Sequence, residues 1–450
     1  MRRVNLPSWK RLLWIPVFLG VGIGVLTWMA RQPGDMDRQL ARLKAQGIPT
    51  TSAELDVWYA AVPDAVNAGK LVLEAASGFR TVALPGLEAD SQRRPSRTNG
   101  VTESLLLANR AYLATNAETL HAIHAALQHP QSRYPILLTN GVLTLLPHLS
   151  PVKQAAQRLG VCAEMAAECG DRELATQCLL DGLALARTLQ PEPTVISFLV
   201  RNVCEGIATA SAERVLHRVE LNSNQLSQLQ RAFNRSAAEL SYDRAMVGEL
   251  CLNLDAFRMP AGRQWTGLVA PGGPNPALQP EAVVLWVYSI SGLKGRDLAV
   301  MANYYNRSRE LAALPPTARH RASETLNAEL DAQLRTQFLP IAHMMLPGIL
   351  KTESKATHQY AVLRSAEVAC AVEQWRQAHG GALPESLNAL VPGPLASIPE
   401  DPLDGRPLKF VKRPRGFVVY SVGEDGIDDG GAVRNVGSTN RWDYTFTVER

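Results

Sequence analysis

Residues 151–191 read PVKQAAQRLGVCAEMAAECGDRELATQCLLDGLALARTLQP, and this stretch decides the fold class. Apolar residues recur at helical spacing on both sides of Gly170-Asp171. Glycine suits the end of one helix and aspartate suits the N-cap of the next. The pattern therefore predicts two helices joined by a short turn. The apolar positions are Ala156, Leu159, Val161, Cys162 and Ala166 in the first helix, and Ala175, Cys178, Leu179, Leu183 and Leu185 in the second.

The predicted helical pair needs neighbours, because a single hairpin cannot bury its apolar face alone. Segments 194–216 and 223–254 have helical patterns and supply plausible neighbours. Residues 52–254 are thus predicted to form an irregular stack of helical hairpins. The pair resembles a tetratricopeptide unit in Leu159-Gly160, Ala175 and Pro191, although the last two come several residues later than that repeat places them.

The composition agrees with a mainly α-helical chain. Of 450 residues, 46% are hydrophobic and 20% charged, which excludes a globally disordered protein. Aromatic residues make up only 6%, which favours packed helices over a β-sandwich. The net charge of +4 is too small for a dedicated nucleic-acid binder, which needs a concentrated basic face.

A membrane span is predicted at residues 12–30, which read LLWIPVFLGVGIGVLTWMA without a charge. Such a run is long enough to cross about 30 Å of hydrocarbon as a helix. The basic cluster within residues 2–11 favours a cytoplasmic tail at 1–11 and an extracytoplasmic, periplasmic position for the rest. The alternatives are a cleaved signal peptide and, less in keeping with the terminal position, a buried core helix.

The remaining chain divides into three parts by composition. Residues 31–51 are a polar connector, and residues 52–350 form the helical body. Within the body a helix is predicted at 103–128 and a Pro/Gly-rich loop at 259–281. Residues 352–450 are an α+β module with a long helix at 357–378 and a short helix at 385–390. Its strands are predicted at 408–411, 417–421 and 442–448.

The carboxy-terminal quarter carries four motifs in a recognisable order. They are HGGALPESLNALVP from His379, DPLDGRPLKF from Asp401, FVVYSVGEDG from Phe417 and the pair Trp442-Asp443. This order resembles the globular domain of major pseudopilins of type II secretion systems. The resemblance implies one long helix packed on a small antiparallel sheet. One departure is the helical body, which separates the apolar span from the module and argues against assembly into a pilus-like fibre.

The resemblance also implies a calcium site. Carried over, its ligands are the side chains of Asp425 and Asp443 and the backbone carbonyl of Val422. The residues themselves agree in kind, because VGEDGIDDGG concentrates carboxylates among glycines and calcium prefers about 6–8 oxygen ligands from a flexible loop. The alternative interpretation is a solvated acidic turn without a metal.

Catalytic motifs are absent from the sequence: there is no HExxH, GxSxG, P-loop or dinucleotide fingerprint. His121 and His124 share one helical face and could share a metal, but no third ligand is nearby in sequence and helix-surface histidines are the commoner explanation. The six cysteines read as small buried hydrophobic residues, with a Cys162–Cys178 disulfide as the alternative.

These features predict a membrane-anchored extracytoplasmic protein that binds protein partners or takes part in assembly, linked to a secretion-like apparatus. A helical-hairpin stack suits extended partners. The rival hypotheses are a hydrolase-type enzyme, with its site between the helical body and the carboxy-terminal module, and a purely structural envelope protein.

Overall fold

The computed structural model describes residues 35–81, 102–258, 293–432 and 443–450. The predicted tail, the span at 12–30, the loop at 259–281 and the strand residue Trp442 lie outside the described residues. Within them the chain is mainly helical with a small antiparallel sheet near its end, which confirms that part of the predicted fold.

Of the seven described helices up to the end of the hairpin, the last five pack into one stack and the first two contact later elements instead. The seven are α1 Asp35–Ala45, α2 Ser52–Trp58, α3 Ala68–Ala76, α4 Glu103–Thr115, α5 Ala117–Leu127, α6 Leu149–Glu168 and α7 Arg172–Arg187, with 3-10 turns at Asp64–Val66 and Leu138–Leu143. The helices that follow are α8 Val195–Arg218, α9 Ser223–Ala238, α10 Asp243–Arg258, α11 Leu293–Leu311, α12 Pro316–Thr336, α13 Pro340–Ile349 and α14 Thr352–Ala378.

The hairpin α6–α7 forms as the sequence predicts. Gly170 adopts a φ of 80° after α6, and the Asp171 carboxylate accepts the backbone N–H of Leu174 at 3.0 Å, which caps α7. Small residues allow α8 to approach both helices: a Cβ on Gly160 would lie 2.6 Å from Ser211 Oγ, and one on Gly182 would lie 3.3 Å from the Ala208 side chain. Cys162 and Cys178 are both free thiols, so the alternative of a disulfide between them is wrong.

Helix α8 is the core helix of this stack. By length and composition it is also the only helix of the described residues that could cross a membrane. Most of its apolar stretch is buried against α6, α7 and α14, as expected for the central helix of a bundle.

One predicted helix is interrupted. The pattern at 103–128 predicts a single helix, but α4 and α5 meet at Asn116. The buried Asn116 side chain accepts the N–H of Arg80 at 2.8 Å and donates to the Arg80 carbonyl at 3.0 Å. These tertiary bonds fix the asparagine at the junction and turn the chain there.

The carboxy-terminal module has the predicted order of elements. Helix α14 begins at Thr352, earlier than the predicted 357, and is followed by a 3-10 turn at Leu387–Leu390. The strands β1 Lys409–Arg413, β2 Gly416–Ser421 and β3 Tyr444–Glu449 form an antiparallel sheet in the order β1-β2-β3. Val418 pairs with Val411 on one side and Thr447 on the other.

Helix α14 joins the module to the helical body. It packs against α9 and α8 on one side and against β2 and β3 on the other. Leu229 of α9, Val368 of α14 and Phe417 of β2 therefore belong to one continuous hydrophobic core. A second core lies among α1 and α10–α14, away from the sheet. The predicted boundary near residue 351 coincides with the turn before α14, but the main core continues across it.

Candidate functional site

A polar groove lies where the helical body meets the carboxy-terminal module. Its volume is about 870 Å³, and its walls are α9, α14 and the segment 393–400. Only the rival hydrolase hypothesis places a site between these two regions. The walls are rich in amide, hydroxyl and guanidinium groups: Ser227, Gln230, Arg231, Asn234, Tyr360, Arg364, Glu367 and Gln374.

The polar side chains on α9 follow from its sequence. Ser227, Gln230, Arg231 and Asn234 recur at helical spacing, so they share one face of α9. The opposite face carries Leu226, Leu229 and Phe233, which are buried in the core. Burial of the apolar face therefore turns the polar face toward the groove.

Hydrogen bonds hold the groove side chains in a fixed arrangement. Gln374 donates to Gln230 at 2.6 Å, and Gln230 donates in turn to the carbonyl of Pro394 at 2.7 Å. Ser227 Oγ donates to Gln374 at 3.1 Å. This chain of bonds ties α9, α14 and the segment 393–400 together, so the groove is shaped before any partner arrives.

A second set of bonds fixes the charged end of the groove. Glu367 Oε1 accepts from Asn234 at 2.8 Å, and Glu367 Oε2 accepts from Arg364 at 2.6 Å. The Arg364 guanidinium lies 5.1 Å from the centre of the Tyr360 ring. The pKa of Arg364 is raised: burial alone would lower it, but Tyr360 and Glu367 outweigh that effect.

The predicted calcium ligands lie in different environments. Asp443 is buried, and its Oδ2 accepts the N–H of Gly431 at 2.8 Å. Asp425 is exposed, and its Oδ1 accepts the N–H of Ile427 at 3.1 Å. The carbonyl of Val422 accepts Ser421 Oγ at 3.0 Å.

One atom at this site fits a cation. Oδ1 of Asp443 is buried and has no hydrogen-bond partner among the described residues. Burial raises the pKa of Asp443, which reflects the cost of a charge there, and a bound cation would offset that cost. The described ranges contain no group of three or more His, Cys, Asp or Glu side chains that could hold a metal. The described residues therefore supply only part of the oxygen ligands that a calcium ion needs.

Asp401, which sequence reasoning used only as a motif match, has a structural role. Its carboxylate is 1% exposed and accepts Ser421 Oγ and the N–H of Val422, both at 2.8 Å. It also accepts the N–H of Leu403 at 3.0 Å. These bonds clamp the turn before β1 to the end of β2. Burial raises the pKa of Asp401, and the bonds it accepts act in the opposite direction.

The two histidines of α5, His121 and His124, lie in different surroundings. His121 is exposed, whereas His124 Nδ1 lies 2.9 Å from Asp181 Oδ1 on α7. Gln177 places its amide nitrogen 2.8 Å from the same ring atom. His124 therefore bonds across to α7.

No protein-family model, curated protein or solved structure matches this chain. Its function is therefore inferred from the residues and the geometry described above.

Proposed function

We propose that this chain is a membrane-anchored protein whose extracytoplasmic bulk binds a polypeptide partner in the groove between α9 and α14. The observation that carries the proposal is the preformed polar groove of about 870 Å³ at the junction of body and module. Its walls come from both regions, so the groove depends on the packing of α14 against α9.

The chemistry of the walls suits the main chain of an extended segment. Such a segment presents N–H and C=O groups about every 3.3 Å, and both need partners when they leave water. Amides offer donors and acceptors together, and guanidinium groups offer several donors. Gln230, Asn234 and Gln374 each already make bonds within the groove, and their second N–H hydrogens and second oxygen lone pairs are left for a partner. The exposed Arg231 supplies a cation at the rim.

The acidic residues of the groove favour binding over hydrolysis. A pair of carboxylates for hydrolysis must be free to reach the substrate and a water. Both oxygens of Glu367 are engaged by Asn234 and Arg364, and the other acidic group, Glu400, is exposed at the rim. A hydrolase and a purely structural protein remain the rival hypotheses.

Membrane anchoring and the link to a secretion-like apparatus are supported by the sequence. The charge-free run at 12–30 supplies the anchor, and the four ordered motifs after His379 supply the pseudopilin resemblance. A protein that combines an anchor with a folded module and a preformed groove is suited to hold another envelope protein at the membrane.

Crosslinking from the groove tests the proposal. A photoreactive amino acid replaces Ser397, which is exposed on the groove wall, in the full-length protein in its native membranes. We expect one discrete protein adduct, and we expect Ala396→Trp to abolish it by filling the groove. The control places the same photoreactive group at the exposed Glu118 on α5. An adduct that survives Ala396→Trp, an identical adduct from position 118 or no adduct at all would contradict the proposal.

We also propose that the loop containing Asp425 and Asp443 binds calcium, with Val422 as a backbone ligand. The unsatisfied Oδ1 of Asp443 supports the proposal. Calcium should raise the unfolding temperature of the full-length protein, and Asp443→Asn should remove that rise. Asp404→Asn, in the half-buried turn before β1, is the matched control. The same rise in the Asp443→Asn variant, or no effect of calcium, would refute the site.

A further inference from the structure

A second cavity lies inside the helical body, away from the groove. Its volume is about 470 Å³, and it is lined by α5, α7, α9 and the turns after α5 and α7. This volume is in the range of about 300–1,000 Å³ typical of small-molecule sites. Its polar lining contains His124, Ser132, Asp181, Arg187, Arg235 and Glu239.

The cavity brings charges of both signs together. Arg235 Nε donates to Glu239 Oε1 at 2.7 Å, which leaves the other oxygen of Glu239 unused. Arg187 makes no hydrogen bond or ion pair with any residue that the structure describes. Burial, together with the charges of Arg235 and Arg201, lowers the pKa of Arg187, and the carboxylates of Glu239 and Glu205 act in the opposite direction.

Two buried polar atoms at the cavity lack partners among the described residues. Glu239 Oε2 and Ser132 Oγ are buried without a hydrogen bond in the described part of the chain. Ser132 is only 7% exposed. A buried unsatisfied polar atom costs about 1–3 kcal/mol, so such atoms indicate that something else supplies the bond.

The side of the cavity formed by His124 and Asp181 is held in place by hydrogen bonds between α5 and α7. Asp181 is 4% exposed and accepts from His124 and from Gln177, both at 2.9 Å. Desolvation raises the pKa of Asp181. The His124–Asp181 pair is therefore a fixed feature of one side of the cavity, and its Asp181 shares helix α7 with Arg187.

We propose that this cavity binds a small zwitterion that carries an ammonium and a carboxylate, such as an amino acid or a short peptide. The carboxylate pairs with Arg187 and accepts from Ser132 Oγ, and the ammonium donates to Glu239 Oε2. A simple anion would face Glu239 and Asp181, and a simple cation would face Arg187 and Arg235. Only a ligand that carries both charges can pair with Arg187 and Ser132 Oγ at one end and with Glu239 Oε2 at the other.

Titration calorimetry on the purified full-length protein tests the proposal with four probes: alanine, alanylalanine, acetate and ethylammonium. We expect saturable binding of at least one zwitterion, with a dissociation constant at least tenfold lower than for acetate or ethylammonium. Alanine against alanylalanine distinguishes a free amino acid from a peptide. Equal affinity for a singly charged probe, or no saturable binding by any probe, would overturn the proposal.

Variants tie the binding to the cavity. Arg187→Gln and Glu239→Gln should each weaken zwitterion binding at least tenfold, and Arg172→Gln, at an exposed position of α7 that lines neither cavity, should leave it unchanged. Ala184→Phe keeps every charge and fills the cavity from α7, so it should abolish binding even if the charge variants fold poorly. Undiminished binding in Ala184→Phe would refute the assignment.

Discussion

At the scale of single residues, Gly248 shows how closely two elements of the body approach. A Cβ at this position of α10 would lie 1.5 Å from the carbonyl oxygen of Pro193. The approach lets the neighbouring Glu249 accept the N–H of Val195 at 3.1 Å at the start of α8. The glycine therefore fixes the contact between α10 and the turn before α8.

Gly248→Ala should destabilise the protein by about 1–3 kcal/mol or more, because backbone must move to admit the methyl group. Gly206→Ala is the matched control within α8, where a Cβ would make an ordinary contact at 3.6 Å. That control should be neutral or stabilising by about 0.5–1 kcal/mol, because alanine favours a helix interior. Urea unfolding of both variants measures the difference, and equal stability of the two would contradict this account.

His320 gives the stability a dependence on pH. Its Nδ1 lies 3.3 Å from Glu353 Oε2, and the side chain is 13% exposed. The hydrogen bond to Glu353 raises the pKa of His320, while burial acts against it. A raised folded-state pKa gives stability that is fully present below the unfolded value of about 6.5 and is lost as the pH rises through the folded pKa.

His320→Gln should therefore lower the free energy of unfolding most below about pH 6.5, by about 1.5–3 kcal/mol for a charged hydrogen bond. The difference from the unmodified protein should shrink as the pH rises. Denaturant unfolding across a pH series measures it, with His121→Gln at an exposed position of α5 as the control. A difference that stays constant with pH would disprove the role of the charged imidazole.

The sequence indicated some residues of the candidate sites but not others. The acidic loop at 422–431 and the match at Asp401 were visible in the sequence, but the clamp that Asp401 makes to β2 depends on a fold partner 21 residues away. The polar stripe from Ser227 to Asn234 was a readable signal of the groove. Its partner wall on α14 was not, because contacts across more than 130 residues leave no local pattern.

At the scale of elements, capping chemistry explains where helices start. Asn222 Oδ1 accepts the N–H of Gln225 at 2.9 Å, and Gln225 Oε1 accepts the N–H of Asn222 at 2.9 Å. This reciprocal pair is a capping box at the start of α9. Because α9 forms one wall of the groove, the cap also fixes where that wall begins.

Asn222→Ala should cost about 1 kcal/mol, because the first turn of α9 loses its side-chain acceptor. Ser223→Ala, one residue later and also exposed, should change stability by less than about 0.5 kcal/mol. Thermal unfolding of the two variants gives the comparison. If Ser223→Ala were as destabilising as Asn222→Ala, the capping box would not explain the start of α9.

At the scale of the whole molecule, a buried ion pair joins the end of the sheet to α14 and α8. The Arg450 guanidinium bonds Glu373, which is 1% exposed, and donates to the carbonyl of Leu216 at 2.6 Å. Burial raises the pKa of Glu373, and Arg450 and Arg376 oppose that rise. The pair therefore helps to hold the module against the helical body.

Arg450→Met should destabilise the protein by about 3–5 kcal/mol, because it leaves a buried carboxylate without its main partner. Combining it with Glu373→Met should restore part of the loss, because the buried carboxylate is then gone, but not all of it, because Arg376 also loses its partner at 3.6 Å. A double-mutant cycle by denaturant unfolding measures the coupling. Additive losses from the two substitutions would show that the pair does not act as a unit.

The sequence by itself determined the mainly helical class, the hairpin at 151–191 and the order of helix and strands after residue 352. These follow from periodicity and capping, which act over a few neighbouring residues. Only the tertiary structure decided that α14 lies between α9 and the sheet, that Asn116 divides a predicted helix and that two polar cavities form. Those features depend on contacts between residues far apart in the chain, whose burial energy is set by the whole fold rather than by local sequence.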